Sequence, residues 1–254
     1  MTELLTVEGL GVRFAGLTAL DDVSFRLSEG QVRAVIGPNG AGKTTLFNAI
    51  SGYVRPTSGR VLLRGQDVAG DSPHAIAGHG IRRTFQNGGL FPALTVLENV
   101  LTGLTTETPG SFLDLLLGRR RALEAERAAI AKARALLELM SMGHMADARA
   151  GSLSGGQQRI VEIIRTVASE PPVLLLDEPA VGLSPVARAQ MMEIIARLTG
   201  EKGVAVLLIE HAVELVMASA DRILVMAAGK RIAEGTPDEI RADRAVLEAY
   251  LGHA

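Results

Sequence analysis

The sequence predicts an α/β fold with a parallel sheet at its centre, an antiparallel sheet at one edge and a helical insertion. Three observations predict it. The segments Val32–Ile36, Val173–Leu176 and Val204–Ile209 have strand length and are almost continuously apolar, as in strands buried on both faces of a parallel sheet. The segments Leu4–Phe14, Val23–Leu27 and Arg60–Arg64 are shorter or more alternating, with glycine turns at Gly30, Gly59 and Gly65, which suits an antiparallel sheet. From about Leu94 to Ala168 strand signals vanish, and Arg121 to Met140 places Leu123, Ile130 and Leu137 on every second helical turn between charges.

Each remaining element follows from local chemistry. Residues Thr45–Ser51 read as a helix after the first buried strand, a second helix ends at Ala168, and the tail Pro237–Leu251 reads as helical. Gly9-Leu10-Gly11 reads as an ordinary turn, and the piece between Gly110 and Gly118 as weakly apolar helix. The expected organisation is a single domain over 1–254, with 1–86 and 169–254 forming the core and its β subdomain and 87–168 forming a helical subdomain.

Composition narrows the chemistry. At 254 residues the chain buries enough surface to fold without staples, and its lack of cysteine excludes disulfides, thiolate metal sites and thiol nucleophiles. Its 26 basic and 28 acidic side chains give a net charge of −2, so no nucleic-acid partner is expected. The first residues lack the basic and apolar regions of a secretory signal, and no apolar run reaches membrane-spanning length. The chain therefore reads as soluble on its own, and still suited to be the soluble partner of a membrane protein.

Each buried strand runs into polar residues at its carboxyl end, where open α/β sheets bind ligands. After Val32–Ile36 comes Gly37-Pro38-Asn39-Gly40-Ala41-Gly42-Lys43-Thr44-Thr45, which matches G-x-x-x-x-G-K-[ST] between a strand and a helix. The glycines let backbone N–H groups turn inward around phosphate oxygens, Lys43 supplies a cation for the β and γ phosphates, and the Thr44 hydroxyl is placed to ligate Mg²⁺. The helix that follows aims the positive end of its dipole at the anion. After Val173–Leu176 come Asp177 and Glu178, an aspartate fit to hold Mg²⁺ and a glutamate fit to orient or deprotonate a water.

The third element, Leu153 to Arg159, reads LSGGQQR. Ser154 and Gln157 form a capping-box pattern, and Gly155 and Gly156 leave that helix start bare enough for an anion to approach. Here the chain resembles the ATP-binding subunits of ABC transporters, of which this signature is the hallmark, from about Leu4 to the end. The resemblance implies a P-loop NTPase (RecA-like) core with an antiparallel β subdomain and an inserted α-helical subdomain. It also implies ATP and Mg²⁺ as cofactors and ATP hydrolysis coupled to transport.

The resemblance assigns further roles. Phe14 matches an aromatic that stacks on adenine, the alternative being a core phenylalanine at a strand edge. Gln86, in Thr84-Phe85-Gln86-Asn87, matches a glutamine that touches Mg²⁺ or the water and joins the core to the insert. His211 matches a histidine that reaches the γ-phosphate. Ser154, Gly155, Gly156 and Gln157 would contact the ATP of a second ATPase subunit, homologous or identical, packed head to tail. Permease subunits would engage a groove near Gln86 to Leu104, and an extracytoplasmic solute-binding protein would act indirectly. The chain would sit peripherally at the cytoplasmic face of the membrane.

Within the family, the branched-chain amino acid importer ATPases are the nearest likeness. They share RTFQN, IEH, Gly235-Thr236-Pro237 and Ala249-Tyr250-Leu251-Gly252. Two departures stand out: Ser184 occupies the place where the family commonly has an interface aspartate, and the signature is the fuller LSGGQQR. ATPases of urea uptake and lipopolysaccharide export are close neighbours, and a soluble non-transport ABC ATPase is the remaining alternative.

Overall fold

The computed structural model describes residues 2–84, 89–104 and 120–251. Two compact units emerge: Met1–Gln86 with Pro172–Val181 and Ile195–Ala254, and Asn87–Pro171 with Gly182–Ile194. The second unit thus takes in 182–194, which the sequence reading placed in the core. The packing reason is local: at the start of the helix Pro185–Lys202, Ala187 lies against Gly156, and Gln190 reaches the Met142 sulfur.

The first unit contains two sheets. The strands β1 (Glu3–Phe14), β2 (Leu17–Ser28), β4 (Ser58–Leu63) and β5 (Gln66–Asp67) form an antiparallel sheet in the order β2-β1-β4-β5. The strands β3 (Val32–Ile36), β6 (Ile81–Arg83), β7 (Val173–Asp177), β8 (Ala205–Ile209), β9 (Arg222–Ala227) and β10 (Lys230–Gly235) form a sheet in the order β10-β9-β3-β8-β7-β6. Its strands run parallel except β10, which returns antiparallel on β9. All five residues of β3, β7 and β8 are buried, as their unbroken apolar runs require. Leu5 and Leu10 from the antiparallel sheet share one core with Leu175 and Leu207 from the parallel one, and Phe47 and Ile50 of the helix Lys43–Ile50 join them.

One local expectation is corrected. Gly9-Leu10-Gly11 is not a turn: β1 runs through it, and the pairing with β2 shifts register between Val7 and Leu10. Gly9 there adopts φ +58°, a left-handed geometry that absorbs the irregularity without ending the strand. The tail is helical, as expected, in two pieces, Pro237–Ala242 and Arg244–Leu251. Asp243 separates them, leaving the helical conformation and using its carboxylate to accept from the Ala245 and Val246 amides.

The second unit is helical where described: Val96–Thr102, Arg120–Leu139 and Gly155–Val167, with part of Pro185–Lys202. Thr95 and Glu98 close a capping box at the first of these, and buried Asn99 bonds the Phe91 backbone on both its amide and carbonyl sides. The helix expected between Gly110 and Gly118 lies outside the described residues.

Candidate functional site

The phosphate loop leaves β3 between its parallel neighbours β8 and β9. Gly40 and Gly42 both have left-handed backbones, with φ +79° and +99°. Gly42 begins the helix Lys43–Ile50, and no side chain among the described residues caps that end, so its first amides are left for a ligand. A Cβ on Gly42 would stand 2.7 Å from the Ala19 carbonyl oxygen and 2.9 Å from a Leu20 methyl. Gly42→Ala is therefore expected to destabilise the fold by about 1–3 kcal/mol and to weaken nucleotide binding. Thermal melting and an ATP titration check it together; unchanged values of both would mean that the loop tolerates a side chain there.

Lys43 is 7% exposed, and its ammonium arcs back to donate to the carbonyls of Gly37 (2.6 Å) and Pro38 (3.0 Å). Burial pulls it below the ordinary lysine range, while the Glu178 and Asp177 carboxylates pull the other way. Anionic phosphates arriving beside it would favour the charged form further. The loop borders a hollow of about 530 Å³ that also touches Phe14, Leu17, Thr44, Glu178 and His211. Phe14 is 46% exposed at this hollow, so burial does not explain its position. Leu17 and the Ala228-Gly229 turn also border it, and sequence reasoning passed over them. The turn's part is structural: the Gly229 N–H donates to the Ala41 carbonyl, bracing the loop from the β9–β10 side.

The acidic pair divides between a buried and an open position. Asp177 ends β7 at 6% exposure, and its Oδ2 accepts from Arg83 at 2.8 Å. Arg83 also donates to Asn48 and Ser51 on the loop helix and lies 5.6 Å from the centre of the Phe47 ring. Arg83 lies within RTFQN, but nothing in its local sequence marks it for this role. Glu178 adopts φ +49°, rare for a residue with a side chain, and its N–H donates to the Ile209 carbonyl of β8 at 2.9 Å. Its Oε1 lies 2.8 Å from His211 Nε2, so the ring N–H donates to the carboxylate.

Among the described residues, no three histidine, aspartate or glutamate side chains gather into a metal site. A Mg²⁺ ion held through one carboxylate, one hydroxyl and phosphate oxygens fits this donor set, because Mg²⁺ dehydrates reluctantly and shares its ligands with substrate phosphates. Thr44 is exposed at the hollow, and Asp177 stands at the end of the strand two places from β3.

Ser154 to Gln157 lie in the second unit. The predicted capping box is present: the Ser154 hydroxyl accepts from the Gln157 N–H at 3.3 Å, and the Gln157 side-chain oxygen accepts from the Ser154 N–H at 2.9 Å. The two glycines have separate reasons. A Cβ on Gly155 would meet open space, whereas one on Gly156 would stand 2.9 Å from the Ala187 Cβ. Gly155 leaves the helix start bare, and Gly156 also allows close packing against Ala187. Gln86 lies outside the described residues.

A glycine loop feeding a helix start, with an acidic strand end beside it and a glutamate and histidine bonded across one hollow, defines a nucleotide-hydrolysing P-loop protein. Comparison with known proteins narrows this. The family model described as ABC transporter matches residues 20–181, and one described as Branched-chain amino acid ATP-binding cassette transporter matches residues 230–254. The high-affinity branched-chain amino acid transport ATP-binding protein BraF of Pseudomonas aeruginosa is 43% identical over 99% of this chain and 98% of its own length. Its counterpart LivG of Escherichia coli is 41% identical with the same coverage. Among solved structures, the ADP conformation of an ATP-binding cassette of an ABC transporter superposes with a TM-score of 0.85 at 35% identity, covering 99% of this chain and all of that one. The chain belongs to the ABC transporter family, as one of its ATPases.

Proposed function

We propose that this chain is the ATP-binding subunit of an importer for branched-chain amino acids, and that its ATP is hydrolysed in the hollow beside the phosphate loop. The observation that carries the hydrolytic part is the 2.8 Å contact between Glu178 and His211 at the same hollow that Lys43 and Thr44 border. The importer assignment rests on the two relatives and on the match over 230–254.

In this reading the loop amides of Gly37 to Thr45 and the Lys43 ammonium hold the β and γ phosphates, and Phe14 packs against adenine. Thr44 and Asp177 would hold Mg²⁺, with Gln86 as a further contact implied by the resemblance, and the ion would supply charge neutralisation for the phosphates. Arg83 keeps the Asp177 carboxylate in a fixed place. Glu178 takes a proton from the attacking water, and His211 orients that carboxylate by donating to it. Ser154, Gly155 and Gln157 offer a bare helix start to the ATP of a second ATPase subunit, packed head to tail, with Gly156 keeping that helix close to its neighbour. Permease subunits take up the motion, a solute-binding protein outside the membrane delivers the amino acid, and nucleic acid has no part. The chain acts at the cytoplasmic face; among its described residues, no helix is long and apolar enough to cross a membrane.

Lys43→Ala is expected to weaken ATP binding itself, because a cation aimed at phosphates acts in the ground state as well as the transition state. Calorimetry that finds unchanged affinity would overturn the loop assignment. The transport assignment is tested in vesicles carrying the chain with its permease subunits and binding protein. ATP-dependent uptake of leucine, isoleucine or valine is expected; ATP hydrolysis without uptake of any of them would refute it.

A further inference from the structure

The carboxylate of Glu210 has no place in the hydrolytic scheme above, yet it is among the most enclosed charged groups in the chain, at 2% exposure. It immediately precedes His211 and follows β8. Its Oε1 accepts from the Ala180 N–H at 2.7 Å, and its Oε2 accepts from the His211 N–H at 3.2 Å. Ala180 is the second residue after Glu178 and is itself buried.

We propose that Glu210 is a positioning residue that locks Glu178 and His211 into register, an inference that rests on the reading of those two as the hydrolytic pair. Glu178 sits in a left-handed conformation that a residue with a Cβ keeps only when its surroundings over-determine it, and the proline after it narrows its choices further. The turn is held at three points. The Glu178 N–H bonds Ile209, the Val181 N–H bonds the Glu178 carbonyl at 3.3 Å, and the Ala180 N–H bonds Glu210. The first two are made by backbone and would survive most substitutions. The third depends on one side chain, and the other oxygen of that side chain holds the backbone of the residue bearing the imidazole. A single carboxylate thus grips the segment after the glutamate and the segment of the histidine. An ionised carboxylate is an acceptor on both oxygens, so it satisfies two N–H donors at once. Glutamine keeps one acceptor of the same reach; methionine keeps the volume and neither acceptor.

The test uses the full chain with MgATP. Glu210→Met is expected to lower kcat about 10- to 100-fold, the scale of a small misplacement of reacting groups, with KM and ATP affinity within about threefold of wild type. Glu210→Gln is expected to stay within about fivefold of wild-type kcat, its amide oxygen still accepting from Ala180. Hydrogen exchange at the Ala180 amide is expected to accelerate in Glu210→Met and to stay near wild type in Glu210→Gln. In a Glu178→Gln background, Glu210→Met is expected to cost little more, because its effect passes through Glu178. Unchanged kcat in Glu210→Met would overturn the proposal, as would equal loss in both single variants or a parallel fall in kcat and ATP affinity. If Glu210→Met does not fold, Glu210→Ala takes its place under the same criteria. Full turnover in Glu178→Gln would refute the hydrolytic pair itself; loss there beside normal kcat in Glu210→Met would refute only the positioning.

Discussion

Glu178→Gln is expected to lower ATP turnover about 10²–10⁴-fold while ATP still binds, the range seen when a general base is removed. The substitution is nearly isosteric, and its amide oxygen can still accept from the His211 ring, so the 2.8 Å contact and the turn at φ +49° have no steric reason to change. What disappears is the group able to take a proton. The loop amides and Lys43, proposed to hold phosphate, are untouched. Steady-state turnover at saturating MgATP, with affinity measured separately, checks the claim. Near-normal turnover would remove Glu178 from the role of base.

Ser154→Arg is expected to abolish ATP-driven pairing of two ATPase subunits while leaving nucleotide binding to the single chain nearly intact. The phosphate loop, Asp177, Glu178 and His211 all belong to the first unit, and Ser154 opens a helix in the second. The change removes the hydroxyl that caps that helix and sets a long side chain where a phosphate would approach its bare start. Glu178→Gln with ATP is expected to give a long-lived dimer on size exclusion, since in the proposed scheme hydrolysis reopens it. Adding Ser154→Arg should return that species to monomer, with the natural partner ATPase supplied if the chain pairs only with a different one. A double variant that still dimerises would refute a site shared between two chains.

The parts of this protein that were legible in sequence are those whose chemistry is local. The phosphate loop needs glycines at fixed offsets from a lysine, and the signature helix needs a serine three residues before a glutamine. Both patterns survive without knowledge of what packs against them, and both appear where expected. Runs of buried apolar residues likewise placed β3, β7 and β8 within a residue or so. Long-range partners were not legible. Arg83 meets Asp177 across 94 positions, and Glu210 meets Ala180 across 30; nothing in either neighbourhood announces the other. The strands β6 and β10 went unread for the same reason, whereas β9 carries a buried apolar run, Ile223 to Met226, that was legible and passed over. Ile81–Arg83 is too short to show a period, and β10 is a half-exposed edge strand whose identity comes from pairing with β9. Gly9 misled because a bulge and a turn use the same left-handed glycine.

The order of strands in the parallel sheet has a consequence for how this chain is made. The phosphate-loop strand β3 ends at Ile36, but its two neighbours in the sheet are β8 and β9, which begin at Ala205 and Arg222. A ribosome adding about 5–20 residues per second takes roughly 10–30 s to travel from the end of β3 to the start of β8. During that time β1 and β2 can already pair as a hairpin, whereas β3 has neither of its flanking strands to bond. The loop proposed to grip phosphate is written early and becomes usable late. A nascent or truncated chain that ends before β8 has its lysine and glycines but no sheet to hold them in a ring, so competence to bind nucleotide arrives only after β8 and β9 have been made.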